Sequence, residues 1–521
     1  SCYGYIPQIN MVQTCLDFSG DEIISPFTQE SYVKFAEGVY TSGNLIISYW
    51  NDLFLGIRQC YLLKKNITSV PRIDQATIDS YVAQADFLIA YFHMLLIKCY
   101  GPVVLVKELP VLDTPKDNLL GRTSYDECVQ WTCDMFDDAA GRLPATRTGS
   151  EYGLATSVAA KALKARLLLY AASPLFNGNT EYYSDFVNTD GSSLMPLSYD
   201  ENKWKKAADA ALEAINLAES NGYSLYEMRE GDLSGYPEPQ DLTQRTLRFT
   251  FMDKDNSKEV LFAETRKAGA YGLQPKSLPY LSDGSWNGVA PTLTMVERFY
   301  TKNGLPIDED PKYYTPGDYF KIGQYEGRTT CNLNLKREPR FYSWVSFHNG
   351  YFEMQREGYN EGRIVTMFRK SDNHGKQNRS TDFSLSGYLV KKWCTPTYDT
   401  RNGFQNYPWP VIRLGELYLN LAEAAAEAGE LNKIGEHAGI PTVEKSWEGI
   451  ATLTKDKLIE IIRQERIIEL SFEGHYRWDM ARWKELEHVL DHNPSALNTD
   501  GVSDEDFFRP VVVDRAWKVT S

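Results

Sequence analysis

Between residues 461 and 486 the chain reads IIRQERIIELSFEGHYRWDMARWKEL, with Glu465 and Glu469 four residues apart among arginines. Two carboxyl groups are what a glycosidase uses: one protonates the leaving oxygen, the other attacks the sugar or activates water. The spacing favours a different reading. Leu458, Ile461, Ile462, Ile468 and Phe472 recur at helical intervals and mark one apolar face. At about 100° per residue both glutamates fall in the middle of that face. They then sit on a packed seam, whereas a glycosidase pair must flank an open cleft. An ionised carboxylate on an apolar face is costly unless it is paired and hydrogen-bonded. Arg463, Arg466, Arg477 and Arg482 are candidate partners, with Arg413 a more distant one. A planar guanidinium grips a carboxylate at two points. The expectation is a structural ion network of Glu465, Glu469, Arg463 and Arg466 that fixes how this helix docks.

A second kind of chemistry, ligand binding, is suggested by AYGLQPKSLPYLSDGSWNG, residues 270–288. An oligosaccharide site needs flat aromatic platforms for ring faces and amides, carboxylates or guanidinium groups for hydroxyls. This stretch offers Tyr271, Gln274, Tyr280, Asp283, Trp286 and Asn287 among breakers expected to keep it out of a helix. Trp286, between Gly284-Ser285 and Asn287-Gly288, leads as a binding residue; its competing role is to anchor the loop to the scaffold. Tyr313, Tyr314 and Tyr319 in DPKYYTPGDYF, and Tyr351, Phe352 and Tyr359 in NGYFEMQREGYN, read as packing before platform.

Other chemistries lack their patterns. The seven His form no HExxH, no stretch fits an EF-hand loop, and the eight Cys include no CxxC. No metal and no cofactor is expected. The acid clusters NTDGVSDED and LPIDEDP read as solvated loops. There is no G-x-S-x-G elbow, no P-loop and no GxGxxG between strand and helix. A formal net charge of −15 argues against nucleic acid and against an anionic membrane surface. Aromatics make up 13% of the chain, with 33 Tyr and 11 Trp, more than a simple core needs. Such side chains join an apolar face to a polar handle, which suits surfaces that bind sugars or peptides.

The elements that must position these residues are mainly helical. Residues 48–65, 74–100, 123–143, 156–172 and 202–221 carry helical spacing with stop signals such as Gly101-Pro102 and Pro144. Helices of this length joined by turns and stacked in antiparallel pairs make a tetratricopeptide-like superhelix. Between residues 223 and 410 Gly, Pro, Asn, Asp and Tyr become frequent. LRFTFM and KEVLFAET read there as short strands amid long ordered loops. Helix is expected again over 411–430, with Leu414, Leu417, Tyr418, Leu421 and Ala425 in one stripe. With no flexible linker, the expectation is one domain over 1–521: a helical scaffold at about 28–222 and 411–486, and a loop-rich insertion at about 223–410.

Read in order, the motifs resemble the SusD/RagB family. Trp50 to Ile57 is similar to its early W..lY..I segment. Ala85–Phe87, Ala90–Phe92 and Tyr100-Gly101 resemble its AxFLRAYYY…YG helix, with Ile89 where arginine is usual. Trp204, Ala207 and Ala208 match its W..A...A helix. FYTKNGLPIDED, which holds Asp308, resembles its F...dG.pi stretch, and Glu338-Pro339-Arg340-Phe341 its RDPRF. Arg413, Glu416 to Leu419 and Ala422 to Ala424 match its IRLAEvYLnyAEA. Ile434 with His437 to Ile440 resembles its INxIRxRAG, with Gly435 for the first arginine. The ER…EL.FEG…WD…R block completes the set. The resemblance implies a surface lipoprotein of a Gram-negative outer membrane, held by a lipid on a cysteine upstream of this chain; SCYGYIPQ resembles an internal family segment, and a C-terminal tail is expected beyond Ser521. It implies a SusC-like TonB-dependent transporter as partner. Acting as a lid, such a protein captures an oligosaccharide, or in some RagB-like members a peptide, and hands it on without catalysis. Ligand loops vary within the family, so no site residue transfers by motif. The rival readings are a glycan-active hydrolase using loop carboxylates such as Asp283 and Asp308, and a pure scaffold for protein partners.

Overall fold

The computed structural model describes the chain apart from residues 12–14, 39, 42, 112, 116–118, 233–238, 269–271, 281–283, 355–361, 399–405, 426–440 and 514–521. The fold is mainly α and tetratricopeptide-like. Helix Trp50–Asn66 packs on Gln75–Tyr100, which packs on Tyr125–Ala140, and so on through Ser157–Ala172, Asn202–Ser220, Leu414–Ala425 and Lys455–Glu469. Local chemistry sets the ends. The Asp74 carboxylate accepts the Thr77 N–H at 2.8 Å, and Thr156 Oγ1 accepts the Ala159 N–H at 3.0 Å, so each helix starts with an orphan donor satisfied. Gln75–Tyr100 is long and apolar enough to cross a membrane by length and composition, but most of its apolar window is buried inside the protein, as a central core helix requires.

Two sequence expectations shift. LRFTFM is not a strand: Leu247 to Phe249 end the helix Leu242–Phe249, which starts where Asp241 accepts the Gln244 N–H at 2.8 Å. A short apolar run carries both periods, and here the capping carboxylate decides for helix. Nor is 411–430 helical from its start. Trp409–Arg413 is a fully buried strand antiparallel to Val260–Glu264, the segment expected as strand in KEVLFAET, and the helix begins only at Leu414. Val411 and Ile412 are β-branched and meet the VLFAE strand edge, so sheet pairing wins over the helical stripe that follows. The strands form two-stranded antiparallel sheets among the described residues.

Buried apolar side chains gather in two main clusters. One lies among the helices and includes Phe87, Phe136, Leu163, Leu417 and Ile462. The other fills the loop-rich part and includes Phe299, Phe341, Trp344, Trp393 and Phe472. Lys455–Glu469 lies between them: Ile461 and Ile462 face the first cluster, Ile467 and Ile468 the second. The glutamates of the signature helix therefore sit where the two cores meet.

Candidate functional site

At that junction the carboxylates are gripped from outside their own helix. Arg340 Nη1 lies 2.6 Å from Glu465 Oε1 and 2.9 Å from Glu469 Oε2, its Nη2 lies 3.1 Å from Glu465 Oε2, and its Nε lies 2.6 Å from Glu338 Oε2. Arg413 bridges Glu259 at 2.7 Å, Glu469 at 3.0 Å and Glu473 at 2.8 Å. The arginines nearest in sequence turn elsewhere. Arg466 and Arg482 each lie 2.8 Å from Asp479, and the Arg463 guanidinium stands over the Trp483 ring at 5.0 Å. Arg477 donates to the Ser19 carbonyl at 3.0 Å. Burial disfavours the charge on Glu473, but Arg413 and Lys392 outweigh it and hold its pKa below the usual value. For Glu465 burial wins over Arg340, and its pKa is raised. Both glutamates are buried under guanidinium groups, so neither meets an open cleft. The FEG of this block has a steric reason: Gly474 has φ 86°, and a Cβ there would lie 2.9 Å from the Asp17 Cβ.

The loop expected to bind sugar has a more open face. Its start is not free of helix: Leu273–Ser277 makes a short one, with Pro275 inside its first turn. Trp286 is half-buried, its ring edge-on to Phe27 at 5.6 Å and its backbone N–H donating to the Pro275 carbonyl at 2.9 Å. A Cβ on neighbouring Gly288 would lie 2.4 Å from Phe27, so only glycine admits that ring. Tyr280 is half-buried beneath the Arg379 guanidinium at 4.7 Å, and Arg379 also donates to the Ser285 carbonyl at 3.3 Å and pairs with Asp382. Trp286, Tyr280 and Arg379 thus belong to one patch. Asn287 is buried and its amide donates to the His374 carbonyl at 2.9 Å, while Gln274 Oε1 accepts the Thr395 N–H at 3.1 Å; both knit the loop to its neighbours. Tyr271 and Asp283 lie outside the described residues, as does Tyr359. Sequence reasoning missed Arg379, which no spacing links to Tyr280.

The other tyrosine loops divide. The Tyr313 hydroxyl is buried and donates to the Leu333 carbonyl at 2.9 Å, whereas half-buried Tyr351 lies between Arg328 at 4.3 Å and Arg363 at 3.8 Å. The LPIDEDP loop is not wholly solvated. Asp310 is buried and accepts from Thr301 Oγ1 at 2.6 Å and Asn303 Nδ2 at 2.8 Å. Asp308 and Glu309 line a cavity of about 580 Å³. Among the described residues no cluster of His, Cys, Asp and Glu is arranged to hold a metal ion, and all eight cysteines are free thiols.

A helical superhelix with a loop-rich second core and a buried arginine–glutamate seam defines the class of protein, and comparison with known families agrees. Residues 257–514 match the SusD family model, and residues 13–169 match a second SusD-like model described as "Starch-binding associating with outer membrane". The chain belongs to the SusD/RagB family. Among solved structures it is similar to BT4246, at 29% identity over 99% of this chain and 93% of that one, with a TM-score of 0.87. It also shares its fold with a SusD-like carbohydrate-binding protein, BF0978 from Bacteroides fragilis, at 21% identity, 98% and 88% coverage and a TM-score of 0.67. A third structure of this fold, solved with a xylogluco-oligosaccharide, is 15% identical over 93% and 82% of the two chains, with a TM-score of 0.58. No curated protein sequence matches the chain.

Proposed function

We propose that this protein captures oligosaccharides at the surface of the outer membrane and passes them to a SusC-like TonB-dependent transporter, without catalysing a reaction. The observation that carries the reading is the half-buried Trp286 beside the Tyr280–Arg379 stack, in a chain whose family is described by starch binding. An indole face takes the apolar face of a sugar ring, and a guanidinium next to it satisfies hydroxyls. Tyr271, Asp283, Gln274 and Asn287 complete the proposed binding loop, the last two as residues that fix its shape. Attachment to the membrane is through the lipid on an upstream cysteine. The absence of catalysis is supported by the signature carboxylates, which are locked beneath Arg340 and Arg413.

Calorimetric titration with neutral plant and host oligosaccharides, each mixture assayed for cleavage afterwards, tests this. The expected result is saturable binding of intact sugar that Trp286→Ala weakens by about tenfold or more, the usual scale of a buried aromatic contact. Sugar cleavage abolished by Asp308→Asn would instead make the protein a hydrolase. Silence across the whole panel overturns glycan capture by the lone chain.

A further inference from the structure

Two of the eight thiols meet, although they come from segments far apart in sequence. Cys60 lies on the helix Trp50–Asn66 and is fully buried; Cys2 opens the 3-10 turn Cys2–Tyr5 and is half-buried. The turn is pressed onto the helix. A Cβ on Gly56 would lie 2.9 Å from the Tyr5 Cβ and 2.8 Å from the Phe92 ring, so only glycine admits this approach. Gly56 and Cys60 stand one turn apart on the same side of the helix. On a 3-10 turn residues three apart eclipse, as Cys2 and Tyr5 do. The contact of Gly56 with Tyr5 is therefore repeated one turn on by Cys60 and Cys2, whose thiols are hydrogen-bonded. Cys15 and Cys128 instead donate to oxygens, Asp17 at 3.0 Å and the Thr123 carbonyl at 3.4 Å. The turn is gripped on its other sides too. The Tyr3 hydroxyl donates to Gln84 Oε1 at 2.9 Å and accepts the Ala155 N–H at 2.9 Å, and Arg266 donates to the Gly4 carbonyl at 3.0 Å. It thus joins the first helices of the superhelix to the loop-rich part.

We propose that Cys2 and Cys60 are a modification site: the pair closes to a disulfide that staples this turn to the helical scaffold. The oxidant is a protein or small-molecule disulfide of an oxidising compartment, so the proposal rests on the outer-membrane reading for its compartment alone. The half-buried Cys2 attacks one sulfur of that disulfide as the thiolate, and the other sulfur leaves and takes up a proton. Cys60 then attacks Cys2 Sγ of the mixed disulfide and expels the second sulfur. Two protons and two electrons pass from the pair to the oxidant, which is released as two thiols. The roles follow the surroundings of each sulfur. The hydrogen bond from Cys60, against burial, lowers the Cys2 thiol from 9.0 to about 7, so Cys2 attacks at neutral pH. That bond and burial push the Cys60 thiol up, so it keeps its proton until Cys2 has reacted.

The test is to equilibrate the reduced chain with oxidised glutathione, alkylate the remaining thiols and map peptides without reduction. The expected product joins the peptide carrying Cys2 to the peptide carrying Cys60, two hydrogens lighter than the free pair, with the other cysteines alkylated. The link closes a loop of about 60 residues in the unfolded chain, so oxidation raises the melting temperature by about 2–5 °C. Cys2→Ser and Cys60→Ser each lose that rise and melt where the reduced chain melts. Alkylation of both Cys2 and Cys60, a lasting glutathione adduct on Cys2 without the link, or a link from either to another cysteine overturns the proposal. Alkylating cells that naturally make the chain before lysis separates the pair from its compartment. A pair that closes in glutathione yet stays reduced in those cells overturns the outer-membrane reading and leaves the pair standing. Silence in the oligosaccharide titration likewise leaves the cross-link standing.

Discussion

Two faces of the helix Lys455–Glu469 carry acid chemistry of opposite kinds. One presents Glu465 and Glu469 to Arg340 and Arg413 in a dry seam between two cores. The other presents Glu460 and Gln464 to the cavity that Glu297 and Asp308 also line. The residue types are alike and the partners differ. Where each carboxylate meets a guanidinium in a dry seam, charge fixes the docking of elements; on the cavity face Lys457 pairs with Glu309 and Glu460, Arg298 lines the same space, and Glu297 and Asp308 make no ion pair among the described residues. Neither acidity nor position on a helix marks the functional group.

The largest test of that contrast is Arg340→Leu. It leaves Glu338, Glu465 and Glu469 buried against an apolar side chain, and removing one partner of a buried ion pair typically costs about 3–5 kcal/mol. Urea unfolding should show a loss on that scale; a loss below about 1 kcal/mol would mean that the seam does not hold the two cores together.

Glu22 is the exception within the seam and sharpens the comparison next. It is buried, one oxygen accepts the Phe472 N–H, and the other has no partner. Burial lifts its pKa from 4.5 to about 8. The folded state thus prefers the protonated form, so its stabilising contribution is complete below pH 4.5 and is lost as the pH rises through about 8. Glu22→Gln keeps an acceptor for Phe472 and removes the charge. The stability difference, variant minus wild type, is expected to grow across that window by a few kcal/mol, and a flat difference would place a cation against Glu22.

Much of this arrangement was legible before any coordinates, for local reasons. The Asp74 cap and the Gly101 stop bound the central helix, and the apolar stripe around Glu465 and Glu469 announces a buried seam needing arginine. What was not legible was long-range. Arg340 reaches Glu465 across 125 positions, and no helical spacing encodes that meeting. The arginines close in sequence were plausible partners, yet Arg466 and Arg482 are drawn to Asp479 instead. LPIDEDP reads as a solvated loop by composition alone, because whether a carboxylate faces bulk water or a walled cavity depends on Tyr319, Phe320 and Trp447, which come from other segments. The strand Trp409–Arg413 was hidden for the same reason: its partner, Val260–Glu264, lies about 150 residues away, as long-range pairings do in high-contact-order folds.

The smallest expected effect is also the one whose sign matters most. If Glu297 served the fold as Glu465 does, replacing it would destabilise the protein. It makes no ion pair among the described residues, burial outweighs the more distant charge of Arg337, and its raised pKa means that ionisation at neutral pH already works against the folded state. Its contribution is complete below the unfolded pKa and is lost as the pH rises through the higher folded value. Glu297→Gln should therefore leave stability at pH 7 within about 0.5 kcal/mol of wild type, or raise it slightly. A melting series from pH 5 to 8 checks this. Destabilisation comparable to that of Arg340→Leu would make Glu297 another structural carboxylate and erase the distinction between the two faces of the helix.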